Sequence, residues 1–246
     1  MKVNASERLI VALDVPHDPQ NPSRLIEPED ASYLVEQLGG IVSVFKIGWP
    51  LYMAGGQALP KEFVERGRKV FLDLKFGDIA ETVKRLVLVA VKDCVSFLTV
   101  NTTIDAVRAA LEARGGSDLK ILTVTLLTSL DETDLREMGF AASVNDFVLL
   151  KTVRALEAGC DGVIASGMDV PAIRERVGEK FLIVTPGIRP LGMARDDHKR
   201  VATPTEAIKA GADYLVVGRP ITRARDPRQA ATKILEEMQR AFDSRR

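Results

Sequence analysis

Eight short apolar runs, each followed by an amphipathic stretch, alternate along the chain, and this alternation restricts the fold more than any other feature of the sequence. The runs are LIVALDV (9–15), VSVFKIG (42–48), KVFLDLK (69–75), SFLTVN (96–101), ILTVTLL (121–127), DGVIAS (161–166), FLIVTPG (181–187) and DYLVVG (213–218). They are nearly continuous in Val, Ile and Leu, the pattern of parallel strands covered on both faces. Between them, 28–38, 58–66, 79–91, 103–114, 145–157, 169–177, 205–210 and 226–241 carry apolar residues at helical spacing. Asp169, Thr203 and Asp226 stand just ahead of Pro171, Pro204 and Pro227 as helix-start signals. Gly39, Gly67, Gly115, Gly159, Gly178 and Gly211 stand where helices should stop. Eight such units in 246 residues predict a (β/α)8 TIM barrel, with 1–246 as one barrel domain. The alternative, a doubly wound open sheet, usually carries a glycine-rich phosphate loop after its first strand. Here that strand ends in LDVPHDP, with neither GxGxxG nor GxxxxGK[ST]. The polar, proline-rich segment from Pro16 to Pro28 is long for a βα connection and reads as a solvated insertion or a rim segment.

Charge excludes some functions. The chain has 34 Lys and Arg against 34 Asp and Glu, so no strongly basic nucleic-acid or membrane-surface protein is expected. No run approaches the ~18 apolar residues of a membrane helix, and the N-terminal apolar run is too short for a signal peptide. Cys94 and Cys160 form no CxxC pair, which predicts reduced thiols and a cytoplasmic protein.

In a barrel the chemistry sits where strands end. Asp14 ends the first run, Lys46 lies in the second, and the third reads F-L-D-L-K-F-G-D, with Asp73, Lys75 and Asp78. Asp73 and Lys75 are two apart and share a face, while Leu72, Leu74 and Phe76 take the other. Helices cover the outside, so the charged pair must point inward, at a cost unless the charges are paired. The result is an array of acids and lysines in one cavity; a purely structural ion-pair cluster is the alternative. Thr128 and Ser129 close the fifth run, Pro186 and Arg189 belong to T-P-G-I-R-P after the seventh, and Gly218 and Arg219 follow the eighth. Barrels often bind phosphate at these last two strands. Gly218 would let a ligand approach the backbone, and Arg219 offers a fork for phosphate oxygens. The only histidines, His17 and His198, fall in loops, and neither HExxH nor GxSxG occurs. Strand-end acids could hold Mg²⁺, but each of these has a lysine close by, which would repel a divalent ion.

These residues resemble the orotidine 5′-phosphate decarboxylase family. The hallmark Asp-x-Lys-x-x-Asp-Ile-x-x-Thr matches D-L-K-F-G-D-I-A-E-T from Asp73 to Thr82. L-D-V-P at Asp14, F-K-I-G at Lys46, L-T-S at 127–129, T-P-G-I-R-P at 185–190 and V-G-R-P-I at 217–221 follow in family order over nearly the whole chain. The resemblance implies a cofactor-free and metal-free decarboxylase that makes uridine 5′-phosphate. Lys75 would protonate C6 of the pyrimidine, Asp73 would face the departing carboxylate, and Lys46 would hold Asp73 and the ribose. Asp14 would bind the ribose, Thr128 and Ser129 the pyrimidine, and Arg189, Gly218 and Arg219 the phosphate. It also implies a homodimer in which Asp78 and Thr82 enter the partner's site. Two positions depart from the family pattern. Asp197-His198 replaces the usual Asp-Gln, which would make His198 a lid residue near the phosphate or the pyrimidine, and Asn101 replaces a common His. A Mg²⁺-dependent sugar-phosphate decarboxylase or aldolase of the same superfamily, and a non-catalytic phosphate-binding barrel, are the alternatives.

Overall fold

The computed structural model describes residues 4–15, 21, 24–100, 103–193 and 199–245. Strands β1 (Leu9–Ala12), β2 (Val44–Gly48), β3 (Lys69–Phe76), β4 (Phe97–Val100), β5 (Lys120–Val124), β6 (Gly162–Ile164), β7 (Leu182–Thr185) and β8 (Tyr214–Val217) form a closed parallel barrel in sequence order. Closure is made by β1 on β8, with Ile10 opposite Val216, and it excludes the open sheet.

The helices are α1 (Pro28–Leu38), α2 (Trp49–Met53), α3 (Leu59–Glu65), α4 (Ala80–Lys92), α5 (Ile104–Arg114), α6 (Glu132–Glu137), α7 (Val144–Ala158), α8 (Val170–Val177), α9 (Pro204–Ala210), α10 (Arg219–Thr222) and α11 (Pro227–Ser244). Their apolar stripes explain their seating. In α11, Ala231, Ile234, Met238 and Ala241 recur at helical spacing and are buried. Thr203 and Asp226 cap α9 and α11, accepting the Glu206 and Gln229 amides at 3.2 and 2.8 Å. Gly159 and Gly211 end α7 and α9 at φ 91° and 118°, a backbone that glycine adopts without a Cβ penalty.

Two cores result. Val11, Phe45, Ile47, Leu72, Leu98 and Ile183 face outward to the helices. Ile10, Val44, Phe71, Phe97, Leu122, Val184 and Val216 fill the barrel itself. This one-in, one-out parity is the strand period made visible.

The structure corrects several boundaries. Residues 13–15, 125–127 and 186–187 lie beyond the strand ends, in the loops of the barrel mouth. The short α6 and α10 carry too few residues for a periodic signal. Asp169 precedes α8 but makes no capping hydrogen bond; its carboxylate is taken by Arg200. Residues 16–20, 22 and 23 of the proline-rich segment, His17 among them, fall outside the described residues.

Candidate active site

The site grows from an interruption in β3. Phe71 and Leu72 pair with Phe97 and Leu98, but the next partners are Phe76 and Val100, so four residues of β3 advance against two of β4. Such bulges re-aim side chains, and this one carries Asp73 and Lys75. Lys75 sits at φ 48°, a left-handed conformation uncommon outside glycine. At the interruption its amide N–H donates to Thr99 Oγ1 at 2.9 Å, and the Thr99 hydroxyl donates to Asp73 Oδ1 at 2.9 Å. Leu72, Leu74 and Phe76 face the outer core as expected.

The charges alternate from the loop after β1 across β2 to β3. Lys46 Nζ lies 2.5 Å from Asp14 Oδ2 and 3.4 Å from Asp73 Oδ2, and Lys75 Nζ lies 2.9 Å from Asp73 Oδ1. Lys46 is only 6% exposed. Burial opposes its charge, but Asp14 and Asp73 outweigh burial and raise its pKa above the ordinary lysine value. Burial likewise opposes the charge on Asp73, but Lys46 and Lys75, with hydrogen bonds from Lys75 and Thr99, hold its carboxyl below the usual range. Asp14 Oδ1 is buried without a hydrogen-bond partner among the described residues, leaving an acceptor for a ligand hydroxyl. Gly48 makes room for the array, because a Cβ there would collide with the Asp14 carboxylate and crowd Lys46 Nζ.

Above the array opens a cavity of about 520 Å³. Asp14, Lys46, Asp73, Lys75, Thr128, Pro186, Arg189, Gly218 and Arg219 all line it, so most of the residues chosen from sequence meet in one place. Arg223 and Trp49 line it too and were not anticipated. Two carboxylates face five cationic side chains in this lining, an excess of three positive charges that suits a polyanionic ligand. A larger, more open groove of about 810 Å³ runs beside Tyr33 and Arg228 at the start of α11. It contains none of the acid–lysine array, which lines the smaller cavity instead.

Three candidates are not brought into it. Asp78 is exposed and accepts the Ile79 amide N–H at 2.7 Å. Thr82 is half-buried on α4, and Ser129 is exposed. His198 and Asn101 lie outside the described residues.

Comparisons with known proteins show the family of this barrel. A family model described as the orotidine 5′-phosphate decarboxylase / HUMPS family matches residues 7–234. The chain belongs to this family. It is 49% identical to the orotidine 5′-phosphate decarboxylase of Nitrobacter winogradskyi over 234 residues, covering 95% of this chain and 93% of that one. It is 45% identical to the Caulobacter sp. protein of the same name, covering 96% and 99%. The crystal structure of orotidine 5′-phosphate decarboxylase from Lactobacillus acidophilus superposes with a TM-score of 0.79 at 33% identity, covering 94% of this chain and 99% of that one.

Within this family barrel, Thr99, Gly48 and Arg200 are structural participants that the sequence reading missed. Thr99 was within reach, standing two residues past inward-facing Phe97. Arg200 had no local signal. It is 8% exposed, with Nη1 2.5 Å from Asp169 Oδ2 and Nη2 donating to the Leu126 and Leu127 carbonyls at 3.3 and 3.2 Å. Burial pushes the Asp169 carboxyl up, and Arg200 offsets this only in part. The amides of Lys199 and Arg200 both donate to the Thr128 carbonyl, at 3.1 and 3.2 Å. Residues 199 and 200 thereby brace the loop that presents Thr128 to the cavity.

Proposed function

We propose that the chain decarboxylates orotidine 5′-phosphate to uridine 5′-phosphate, the last step of UMP biosynthesis, without metal or cofactor. The observation that carries this reading is the Lys46–Asp73–Lys75 array in one cavity with Arg189 and Arg219. The substrate bears a phosphate and a carboxylate, which suits the cationic excess of the lining.

Loss of CO₂ from C6 of a pyrimidine leaves a carbanion with no adjacent electron sink. Its barrier must fall through positioning and electrostatics, and enzymes typically lower barriers by ~8–23 kcal/mol. Lys75 supplies an ammonium that interacts more strongly with the developing carbanion than with the ground state, and then protonates C6. Asp73, held ionised by its neighbours, faces the substrate carboxylate. Like charges 4 Å apart repel by ~4 kcal/mol at an effective dielectric of 20, so this contributes part of the acceleration. Lys46 holds Asp73, and with Asp14 it takes the ribose hydroxyls. Thr128 and Ser129 contact the pyrimidine, Pro186 walls the site, and Arg189, Gly218 and Arg219 hold the phosphate. Each cavity carboxylate is already paired with a lysine, which disfavours a divalent ion and supports the metal-free reading.

Asp78 and Thr82 act across a two-fold axis in the partner's site. In support, Asp78 is exposed outside its own cavity, and Ile79 and Val89 nearby are 71% and 57% exposed, an apolar surface suited to a second copy.

Spectrophotometric turnover of orotidine 5′-phosphate in excess EDTA tests the reading. Full activity is expected. Loss with EDTA and recovery with Mg²⁺ selects the metal-dependent sugar-phosphate enzyme, and binding of uridine 5′-phosphate without turnover selects the non-catalytic barrel. For the shared site, inactive Lys75→Ala and Asp78→Ala dimers are mixed after dissociation. Random pairing makes half the dimers mixed, each with one intact site, so recovery should approach about one quarter of wild-type activity. Proven subunit exchange without recovery would put Asp78 in its own subunit's site.

A further inference from the structure

We infer that Thr99 is a positioning residue that holds Asp73 and Lys75 in reacting geometry through its single hydroxyl. The inference rests on the decarboxylase reading for its kinetic consequence, though not for its geometry.

The backbone creates the need. Where β3 bulges away from β4, the Lys75 amide stands at the interruption of the ladder. A buried N–H left unpaired is costly, and a left-handed non-glycine residue persists only when its surroundings over-determine it. Thr99 Oγ1 meets that amide at 2.9 Å. Thr99 is fully buried, so the bond has no solvent competitor.

The direction of the bonds then follows. An amide N–H can only donate, so Thr99 Oγ1 must accept from Lys75. Its own hydroxyl proton is left for Asp73 Oδ1, at 2.9 Å. That same oxygen takes Lys75 Nζ at 2.9 Å. One hydroxyl therefore ties the backbone of the proton donor to the carboxylate that its ammonium pairs with. Hydrogen bonds donated to a carboxylate favour the ionised form. The other groups facing Asp73 are Lys46 from β2 and Lys75 from β3, and Asp14 from the loop after β1 reaches Lys46. Thr99 does not exchange protons with substrate; it acts through the two residues it holds. Thr suits the task because a β-branched side chain has few χ1 choices and fits a strand.

The experiment compares Thr99→Val, which keeps the shape and removes the hydroxyl, with Thr99→Ser, which keeps the hydroxyl. Thr185→Val is the control, since that hydroxyl is buried with no hydrogen-bond partner among the described residues. Two readouts are taken: kcat and KM with orotidine 5′-phosphate, and the ¹³C titration midpoint of the Asp73 carboxyl, assigned with Asp73→Asn. Thr99→Val should lower kcat ~10- to 100-fold, leave KM within about threefold, and raise the Asp73 midpoint. Thr99→Ser should restore both, and Thr185→Val should change neither. Thr99→Cys, similar in size but a weak hydrogen bonder, is carried beside Thr99→Val in case the latter does not fold, and it should behave like it. Wild-type kcat and an unmoved midpoint in the hydroxyl-less variants overturn the proposal. A Thr99→Ser variant as impaired as Thr99→Val also overturns it, because the methyl group and not the hydroxyl would then matter. Absence of orotidine 5′-phosphate turnover in the wild type would sink the functional reading alone, and the midpoint would still decide the role of Thr99.

Discussion

The lower and upper halves of the barrel interior are built by the same strands and differ in almost everything else. Below, Phe71, Phe97 and Tyr214 meet edge-to-face with ring centroids 6.0 and 5.2 Å apart, and the Arg8 guanidinium sits 4.7 Å from the Tyr214 ring. Ile10, Val44 and Leu122 complete that layer. Two residues further along, on the same faces, Asp73 stands above Phe71, Thr99 above Phe97 and Lys46 above Val44. One step of the strand period thus separates a dry aromatic plug from an alternating charge array. The plug stabilises through area removed from water and close ring contact. The array gains less, because desolvation offsets part of the attraction of paired charges. Its form makes sense as chemistry held in place by a layer that needs no chemistry. The backbone draws the same distinction: β3 is in register with β4 at Phe71 and broken at Asp73–Lys75.

Removing one group from each layer should separate activity from stability. The largest effect is expected at Lys75, where Lys75→Ala should lower kcat by more than ~10³-fold, about 4 kcal/mol of barrier. Its thermal midpoint should stay within a few degrees of wild type by calorimetry. A loss below tenfold in kcat would take Lys75 out of the chemical step. Next comes the plug. Phe97→Ala should cost about 3–5 kcal/mol in urea unfolding through cavity formation. The folded enzyme should keep its kcat within about tenfold. If Phe97→Ala instead abolished turnover without destabilising the fold, the division between the layers would fail.

A smaller effect is expected outside both layers, at the brace behind Thr128. Arg200→Lys keeps the charge but loses the fork that reaches Asp169 and two carbonyls at once. We expect about a 1–3 kcal/mol loss of stability and a rise in KM that exceeds the fall in kcat. Equal falls in kcat and kcat/KM would show that Arg200 shapes the transition state directly.

The subtlest difference lies in the pH dependence of stability. The folded-state pKa of Asp73 is lowered, so its contribution is fully present above the unfolded carboxylate value and is lost as pH falls through the folded one. That of Lys46 is raised, so its contribution is present below the unfolded lysine value and is lost as pH rises through the folded one. Between about pH 5 and 9 both contributions are fully present and neither changes with pH. Urea unfolding should show an acid decline that weakens in Asp73→Asn, whereas Phe97→Ala should lower the whole curve without changing its shape.

The eight apolar runs, the helices between them and the inward face of Asp73 and Lys75 were all legible in the chain. They depend on periodicity, which is local, and a closed barrel turns periodicity directly into inside and outside. The gathering of Asp14, Lys46, Thr128, Arg189 and Arg219 followed equally, because parallel strands bring all their C-terminal ends to one mouth. What pattern could not supply were features that exist only between strands. The bulge in β3 depends on how β4 pairs with it, and the left-handed backbone of Lys75 depends on that bulge. Asp169 looked like a helix cap until folding set Arg200, far along the chain, against it, because a buried guanidinium must find a carboxylate wherever the tertiary structure offers one. The sequence by itself determined the barrel and which side chains face its mouth. Tertiary structure alone decided which hydrogen bonds hold those side chains, since such bonds depend on distances between strands that no single strand contains.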